Sequence, residues 1–133
     1  MRIIRNDKLY NMNQLTSQEE QLMLIIWQTG KGFVKDYRDK YPEPKPPYTT
    51  VATIIKKLEN KGYLRSRLYG NTYEYSIRIK EEDYKRAFVS GLVSNYFQDS
   101  YKNMVSFFAA EEKLSKKDLE DIINMIKNRK KIE

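Results

Sequence analysis

The chain of 133 residues has no cysteine and no histidine. The first absence removes disulfides, thiolate metal ligands and a cysteine nucleophile. The second removes the commonest metal ligand and the commonest general base. No nucleophile–base set, glycine-rich phosphate loop or acidic pair in a defined setting replaces them, so neither an enzyme nor a cofactor is expected. No apolar run approaches the length needed to cross a bilayer. The opening MRIIRNDKLYNMNQ holds only a two-residue apolar pair, which is not a secretory signal, and a cytoplasmic location is expected. There are only four prolines, all within Pro42–Pro47 (PEPKPP), and no internal repeat or low-complexity tract.

What the chain does have is aromatic and basic. Eleven tyrosines argue against disorder. The formal net charge is +7, and it is unevenly spread. Residues 1–79 carry 14 Lys+Arg against 8 Asp+Glu, a balance of +6; residues 80–133 carry 11 against 10, a balance of +1. An anionic partner for the first part is one reading of that excess, and a simple solubility charge is the other.

Residues 47–77, PYTTVATIIKKLENKGYLRSRLYGNTYEYSI, organise the rest. Val51, Ile54, Ile55 and Leu58 fall on one face at helical period. Thr49, Thr50, Thr53, Lys56, Lys57 and Asn60 fall on the other. Gly62 suits the left-handed turn past a helix end. The period then changes. Leu64–Tyr69 and Thr72–Ile77 are rich in β-branched and aromatic residues, and Gly70-Asn71 between them signals a hairpin. A helix with a small-polar and basic face followed by a β-ribbon is the order used by winged-helix DNA readers.

The flanking segments complete that reading. Thr16 and Glu19 form a capping box before the apolar face of Leu22, Met23, Ile25, Ile26 and Trp27, and Gly30 ends that helix. Trp27 is expected in the core. Phe33, Val34, Tyr37 and Tyr41 predict a short second helix, and the proline cluster an extended loop. Tyr84, Phe88, Leu92 and Tyr96 recur every four residues along a helix opened by Glu81, Glu82 and Asp83. Asp99 or Ser100 caps a segment with Met104, Val105, Phe107 and Phe108. Ser115 and Asp118 open a last helix whose face is Leu119, Ile122, Ile123 and Ile126, followed by the basic run 127–131. The expected fold is mostly α with a small β-hairpin: a tail or arm over 1–14, a winged helix–turn–helix over 15–78 and a three-helix dimerisation region over 79–133. The C-terminal helices are too short and amphipathic for a globule of their own, and a second copy of the chain is the expected partner.

LTSQEEQLMLIIW (15–27), GFVKDY (32–37), TTVATIIKKLENKGYL (49–64), GNTYEYS (70–76) and NYFQDSYKNMVSFFAAEEKLSKKDLEDI (95–122) resemble the penicillinase-repressor family, which includes the methicillin-resistance regulator. The resemblance covers about residues 15–126. It implies a homodimeric repressor on a palindromic operator of double-stranded DNA, with a membrane-bound sensor protease system as a further partner. In that family the repressor is inactivated by a cut between an asparagine and a phenylalanine in the dimerisation region. The corresponding bond is Ser106–Phe107, where serine replaces the asparagine. A copper-responsive branch uses C-terminal cysteine pairs, which this chain lacks.

The DNA-binding candidates are Tyr48, Thr49, Thr50, Thr53, Lys56, Lys57, Arg65, Arg67 and Asn71. Threonine hydroxyls and methyls suit phosphates, base edges and thymine methyls; the plainer reading is that Thr49 or Thr50 caps the helix and Thr53 is half-buried. Lysines on a helix are ordinarily just solvated, but Lys56 and Lys57 stand near Arg65 and Arg67, which share one face of a strand. Tyr73 and Tyr75 read as packing within the wing. The dimerisation candidates are Tyr84, Phe88, Leu92, Tyr96, Met104, Phe107, Phe108, Leu119, Ile122, Ile123 and Ile126. Two alternatives stay open: a winged-helix regulator released by a small ligand, and a winged-helix protein-interaction module. The hydroxyl and basic face of residues 49–57 speaks against the second.

Overall fold

A computed structural model describes residues 14–132, apart from the side chains of residues 130–132. All but Gln14 of the expected N-terminal arm lies outside the described residues, as do the side chains that end the basic run. Six helices and one two-stranded sheet are formed among them: α1 (Ser17–Thr29), α2 (Val34–Arg38), α3 (Tyr48–Asn60), β1 (Leu64–Tyr69), β2 (Thr72–Ile77), α4 (Glu81–Tyr96), α5 (Tyr101–Ala110) and α6 (Lys116–Ile132). The chain divides into two compact units, one ending at Phe88 and the other beginning at Val89.

The first unit is the winged helix. The capping box forms as expected: Glu19 N donates to Thr16 Oγ1 at 3.2 Å, and Thr16 N to Glu19 Oε1 at 2.9 Å. Leu22, Met23 and Ile26 of α1, Val51, Ile55 and Leu58 of α3, Tyr37 of α2 and Tyr63 are fully buried together. Full burial of each aliphatic side chain contributes about 1.5–3 kcal/mol, so these faces set how α1, α2 and α3 pack. The second helix is shorter than its periodicity suggests, one turn and a half over Val34–Arg38, although Tyr41 is buried as well. The Tyr37 hydroxyl donates to Gly30 O at 2.7 Å, closing the turn between α1 and α2. Burial, then the nearby carboxylates of Asp36 and Glu74, push this phenol up to about 12.

A charged pair ties the start of α1 to the end of α3. Lys61 Nζ donates to Glu19 Oε1 at 2.6 Å and to Gln14 O at 2.8 Å. Burial alone would raise the Glu19 pKa, but the bonds from Lys61 and the Thr16 backbone outweigh it, and the carboxyl is held below its ordinary value.

β1 and β2 pair antiparallel from Leu64↔Ile77 to Tyr69↔Thr72. Gly70 has φ +66°, and Asn71 does not share that sign, which is the turn with glycine first that matches strand twist. A third strand position is added by Gly32, which bridges to Tyr75. A Cβ on Gly32 would meet Asp36 Oδ2 at 3.1 Å and Tyr37 Cζ at 3.4 Å, so a larger residue here would have to push those side chains aside.

One expectation is refined here and another changes. Trp27 packs against the core as expected but at its edge, only partly buried, with Nε1 donating to Ile79 O at 3.0 Å. Tyr84 does not wait on a free apolar face. It packs on the winged helix, 5.3 Å from the Trp27 ring and 6.0 Å from Tyr63, and its hydroxyl donates to Glu20 Oε2 at 2.7 Å. Burial, and then that bond, raise its pKa. The reason is the chain path: α4 begins four residues after β2, and its first turn sets Tyr84 against Trp27 and Tyr63. The winged-helix unit therefore extends past residue 78, through Phe88.

In the second unit, Ser100 rather than Asp99 caps α5, accepting from Asn103 N at 3.0 Å. Asp99 takes a left-handed turn, φ 62°. Ser115 caps α6 as expected: its Oγ accepts from Asp118 N, and Asp118 Oδ2 accepts from Ser115 N, both at 3.0 Å. Phe107 lies edge-on to Phe97 and Phe108, each 5.6 Å away.

Candidate nucleic-acid interface

Helix α3 is fixed by its apolar side, and this decides what it shows outward. With Val51, Ile54, Ile55 and Leu58 buried, Tyr48, Thr49, Thr50, Thr53, Lys56, Lys57 and Asn60 are left exposed. Thr49, Thr53, Lys56 and Asn60 follow one stripe at helical spacing. Neither Thr49 nor Thr50 caps the helix. Pro47 holds that position, and its carbonyl accepts from Thr50 N and Val51 N. Both threonines are therefore free of capping duty.

Thr53 is exposed rather than half-buried, and its hydroxyl is not idle. Thr53 Oγ1 donates to Thr49 O at 2.9 Å, one turn back along the helix. With its proton committed, the hydroxyl can only accept, and a phosphate oxygen offers nothing to accept from. What Thr53 presents is an acceptor lone pair and a methyl group. Those suit the amino group of adenine or cytosine and the methyl of thymine in the major groove.

The wing is joined to this helix by a hydrogen bond from Ser66 Oγ of β1 to Glu59 Oε2 of α3. Arg65 and Arg67 are both exposed on the opposite face of β1, and Asn71 is exposed at the tip. The two arginines differ. Arg67 lies 3.5 Å from Glu74 and 5.3 Å over the Tyr69 ring. Arg65 has no acidic partner among the described residues. On α3, the exposed Lys56 lies 3.7 Å from the partly buried Glu59, a pair of small energetic weight because the lysine is solvated. The expectation that Tyr73 and Tyr75 both serve packing holds only for Tyr75, which is 8% exposed against 49% for Tyr73. Both lie on one strand face, but that face leaves the core as β2 starts from the tip.

One cation was not visible as part of the site. Lys31 sits in the turn between α1 and α2, and it lines a shallow depression on the wing with Arg65, Ser66, Arg67, Glu74 and Ser76. No local pattern marks it, because the bridge between Gly32 and Tyr75 that brings it there joins distant parts of the chain.

Of the residues proposed for dimerisation, Phe88, Tyr96, Phe107, Phe108, Ile122, Ile123 and Ile126 are exposed, while Leu92, Met104 and Leu119 are partly buried. Ser106 is exposed within α5. Groups of acidic, histidine or cysteine side chains able to hold a metal are absent among the described residues. No helix there is long and apolar enough to cross a membrane.

A three-helix core with a basic β-hairpin, presenting an exposed threonine and lysine face, defines a winged-helix DNA-binding regulator rather than an enzyme. The family model described as penicillinase repressor matches residues 15–128. The penicillinase repressor of Staphylococcus aureus is 28% identical over 118 residues, covering 85% of this chain and 90% of that one. The penicillinase repressor of Bacillus licheniformis is 24% identical over 126 residues, covering 89% and 95%. The methicillin resistance regulatory protein MecI of Staphylococcus aureus strain N315 is 22% identical over 118 residues, covering 85% and 93%. A solved organohalide-sensing transcriptional regulator in its ligand-free form superposes with a TM-score of 0.44 at 10% identity, covering 94% of this chain and 67% of that one; the likeness is too loose to argue from. The chain belongs to the penicillinase repressor family.

Proposed function

We propose that this chain is a homodimeric transcriptional repressor that holds a palindromic operator with two copies of α3 and two wings. It acts in the cytoplasm, where the DNA is. The observation that carries the reading is the outward face of α3: threonines freed from capping, with lysines beside them and a basic wing hydrogen-bonded to the same helix. Family membership supports repression as the outcome. Exposed apolar side chains on α5 and α6, Phe107, Phe108, Ile122, Ile123 and Ile126, support association through the C-terminal region, since apolar patches of this kind mark interaction surfaces. Two half-sites held by linked readers gain affinity because the second contact is intramolecular. Release follows from the same arithmetic. A cut between Ser106 and Phe107 by a membrane-bound sensor protease would detach α6 and leave each winged helix to its half-site alone.

The test is selection of binding sites from a random duplex pool by the full chain, with sedimentation of the protein alone. The expected site is a palindrome whose half-sites lie one helical turn or a multiple apart, bound by two chains. A monomer at tens of micromolar, an order-of-magnitude choice from ordinary association constants, or a selected site without symmetry, refutes the dimer.

A further inference from the structure

The wing has a third strand position, and its register places one more cation. Gly32 N donates to Tyr75 O at 3.0 Å, and Tyr75 N donates to Gly32 O at 2.7 Å. In an antiparallel pair, one step back on one strand is one step forward on the other. Lys31 therefore stands beside Ser76, and Ser76 pairs with Arg65 across the hairpin. Lys31, Ser76 and Arg65 form one row across the sheet. Residues opposite one another in such a pair share a face, and these three do line the same depression.

The chemistry of the row differs from that of its neighbour. Strands lie about 4.8 Å apart, so the backbones bearing the two cations are separated by roughly 10 Å. Long side chains can close on an anion across that span. Between them sits only the short hydroxymethyl of Ser76, which leaves the floor open and offers a hydroxyl donor. In the next row Glu74 stands opposite Arg67 and partly neutralises it. Lys31 and Arg65 have no acidic partner among the described residues.

We propose that Lys31, Ser76 and Arg65 form a cradle for a phosphodiester of the DNA backbone. Lys31 thereby joins the DNA-binding surface, and Arg65 rather than Arg67 is the wing's principal phosphate contact. The inference rests on the DNA-binding function proposed above and says which side chains supply its sequence-independent part. Two unpaired cations converge on one anion, and the serine hydroxyl donates to one of its oxygens. Such contacts fix register on the duplex without reading bases.

The test uses full-length Lys31→Ala, Arg65→Ala and Ser76→Asp, each titrated with the selected duplex and with random duplex at 50 and 200 mM salt. Each phosphate contact contributes a slope of about 0.9 to the salt dependence. Because the two cations share one phosphate, each alanine variant should flatten the slope by a part of that amount, so that its affinity deficit shrinks by up to about 3-fold between the two salts. The loss should be equal on both duplexes. Ser76→Asp, which puts a carboxylate on the floor, should lose more than either alanine. Trp27 fluorescence checks that each variant is folded. Wild-type protein without salt-dependent DNA binding overturns the DNA-binding function itself. Normal wild-type binding, with Lys31→Ala or Arg65→Ala keeping the wild-type slope, overturns the cradle alone.

Discussion

Replacing Glu19 by glutamine isolates the charge of the pair that joins α1 to α3. The side chain of Glu19 is 4% exposed and that of Lys61 28%, so one member is buried and the other touches water. Glutamine keeps an oxygen able to accept from Thr16 N, so the capping box survives. What goes is the negative charge facing Lys61 at 2.6 Å. A hydrogen bond between charged groups contributes about 1.5–3 kcal/mol, and Lys61 keeps its bond to Gln14 O when that charge goes. The partial exposure of Lys61 pulls the figure toward the lower end, about 1.5–2 kcal/mol at neutral pH. For a small domain this lowers the melting temperature by roughly 6–16 °C. Trp27, the only tryptophan, lies within the winged-helix unit and reports its unfolding in urea or on heating. The pH dependence supplies the harder test. Glu19 is held below its ordinary 4.5 in the fold. Its contribution is therefore complete above the unfolded value and is lost as pH falls through the folded one. The difference between wild type and Glu19→Gln should be largest at neutral pH and fall toward zero as pH drops below the folded value. A difference that persists unchanged into acid would show that the charge is not its source. A Lys61→Met background should shrink it at neutral pH, and additivity of the two changes there would refute the pairing.

Thr53→Val keeps the methyl and removes the lone pair, whereas Thr53→Ala removes both. If the methyl meets a thymine, valine should bind the selected operator nearly as well as wild type and alanine about 1 kcal/mol more weakly; equal losses on random DNA would place Thr53 off the base edges. Tyr84→Phe should lower the urea midpoint by the equivalent of about 1 kcal/mol through loss of the bond to Glu20, and Tyr84→Ala by about 3–4 kcal/mol. An unchanged Tyr84→Ala midpoint would mean that Tyr84 is not part of the winged-helix core.

The elements of the winged helix were readable because each is marked by local chemistry. The Thr16–Glu19 box, the apolar spacing of residues 51–58 and the Gly70-Asn71 turn all act within a few residues of the chain, and each appears where its chemistry places it. The candidate DNA-binding face was readable for the same reason, since the buried side of α3 determines the exposed one. What was not legible depends on contacts between distant residues. Tyr84 looked like one member of a free stripe because its partners Glu20, Trp27 and Tyr63 lie far back in the sequence. Lys31 looked like an ordinary turn lysine because only the Gly32–Tyr75 bridge sets it beside Ser76. The difference between Arg65 and Arg67 likewise needed the strand register, which puts Glu74 opposite one and Ser76 opposite the other.

Burial along the chain bears on how the proposed repressor would be released. The winged-helix unit carries its own core, whereas α5 has no buried residue at all, and Phe107 is 51% exposed. An isolated helix of ten residues is marginal in water, because most helical stability in proteins comes from packing an apolar face. α5 therefore gains little from its own unit and has most to gain from whatever covers Phe107, Phe108 and the face of α6. On the proposed dimer that cover is the second chain, and the order of α5 becomes linked to association. A protease acts on locally opened chain rather than on a helix. The bond between Ser106 and Phe107 would then be protected in the dimer and exposed in the monomer. Cutting it removes α6, which lowers association further, so that each cleavage favours the state in which the next one occurs. The winged helix itself needs no change in this scheme: α3 and the wing keep their core, and operator affinity falls because two readers are no longer joined.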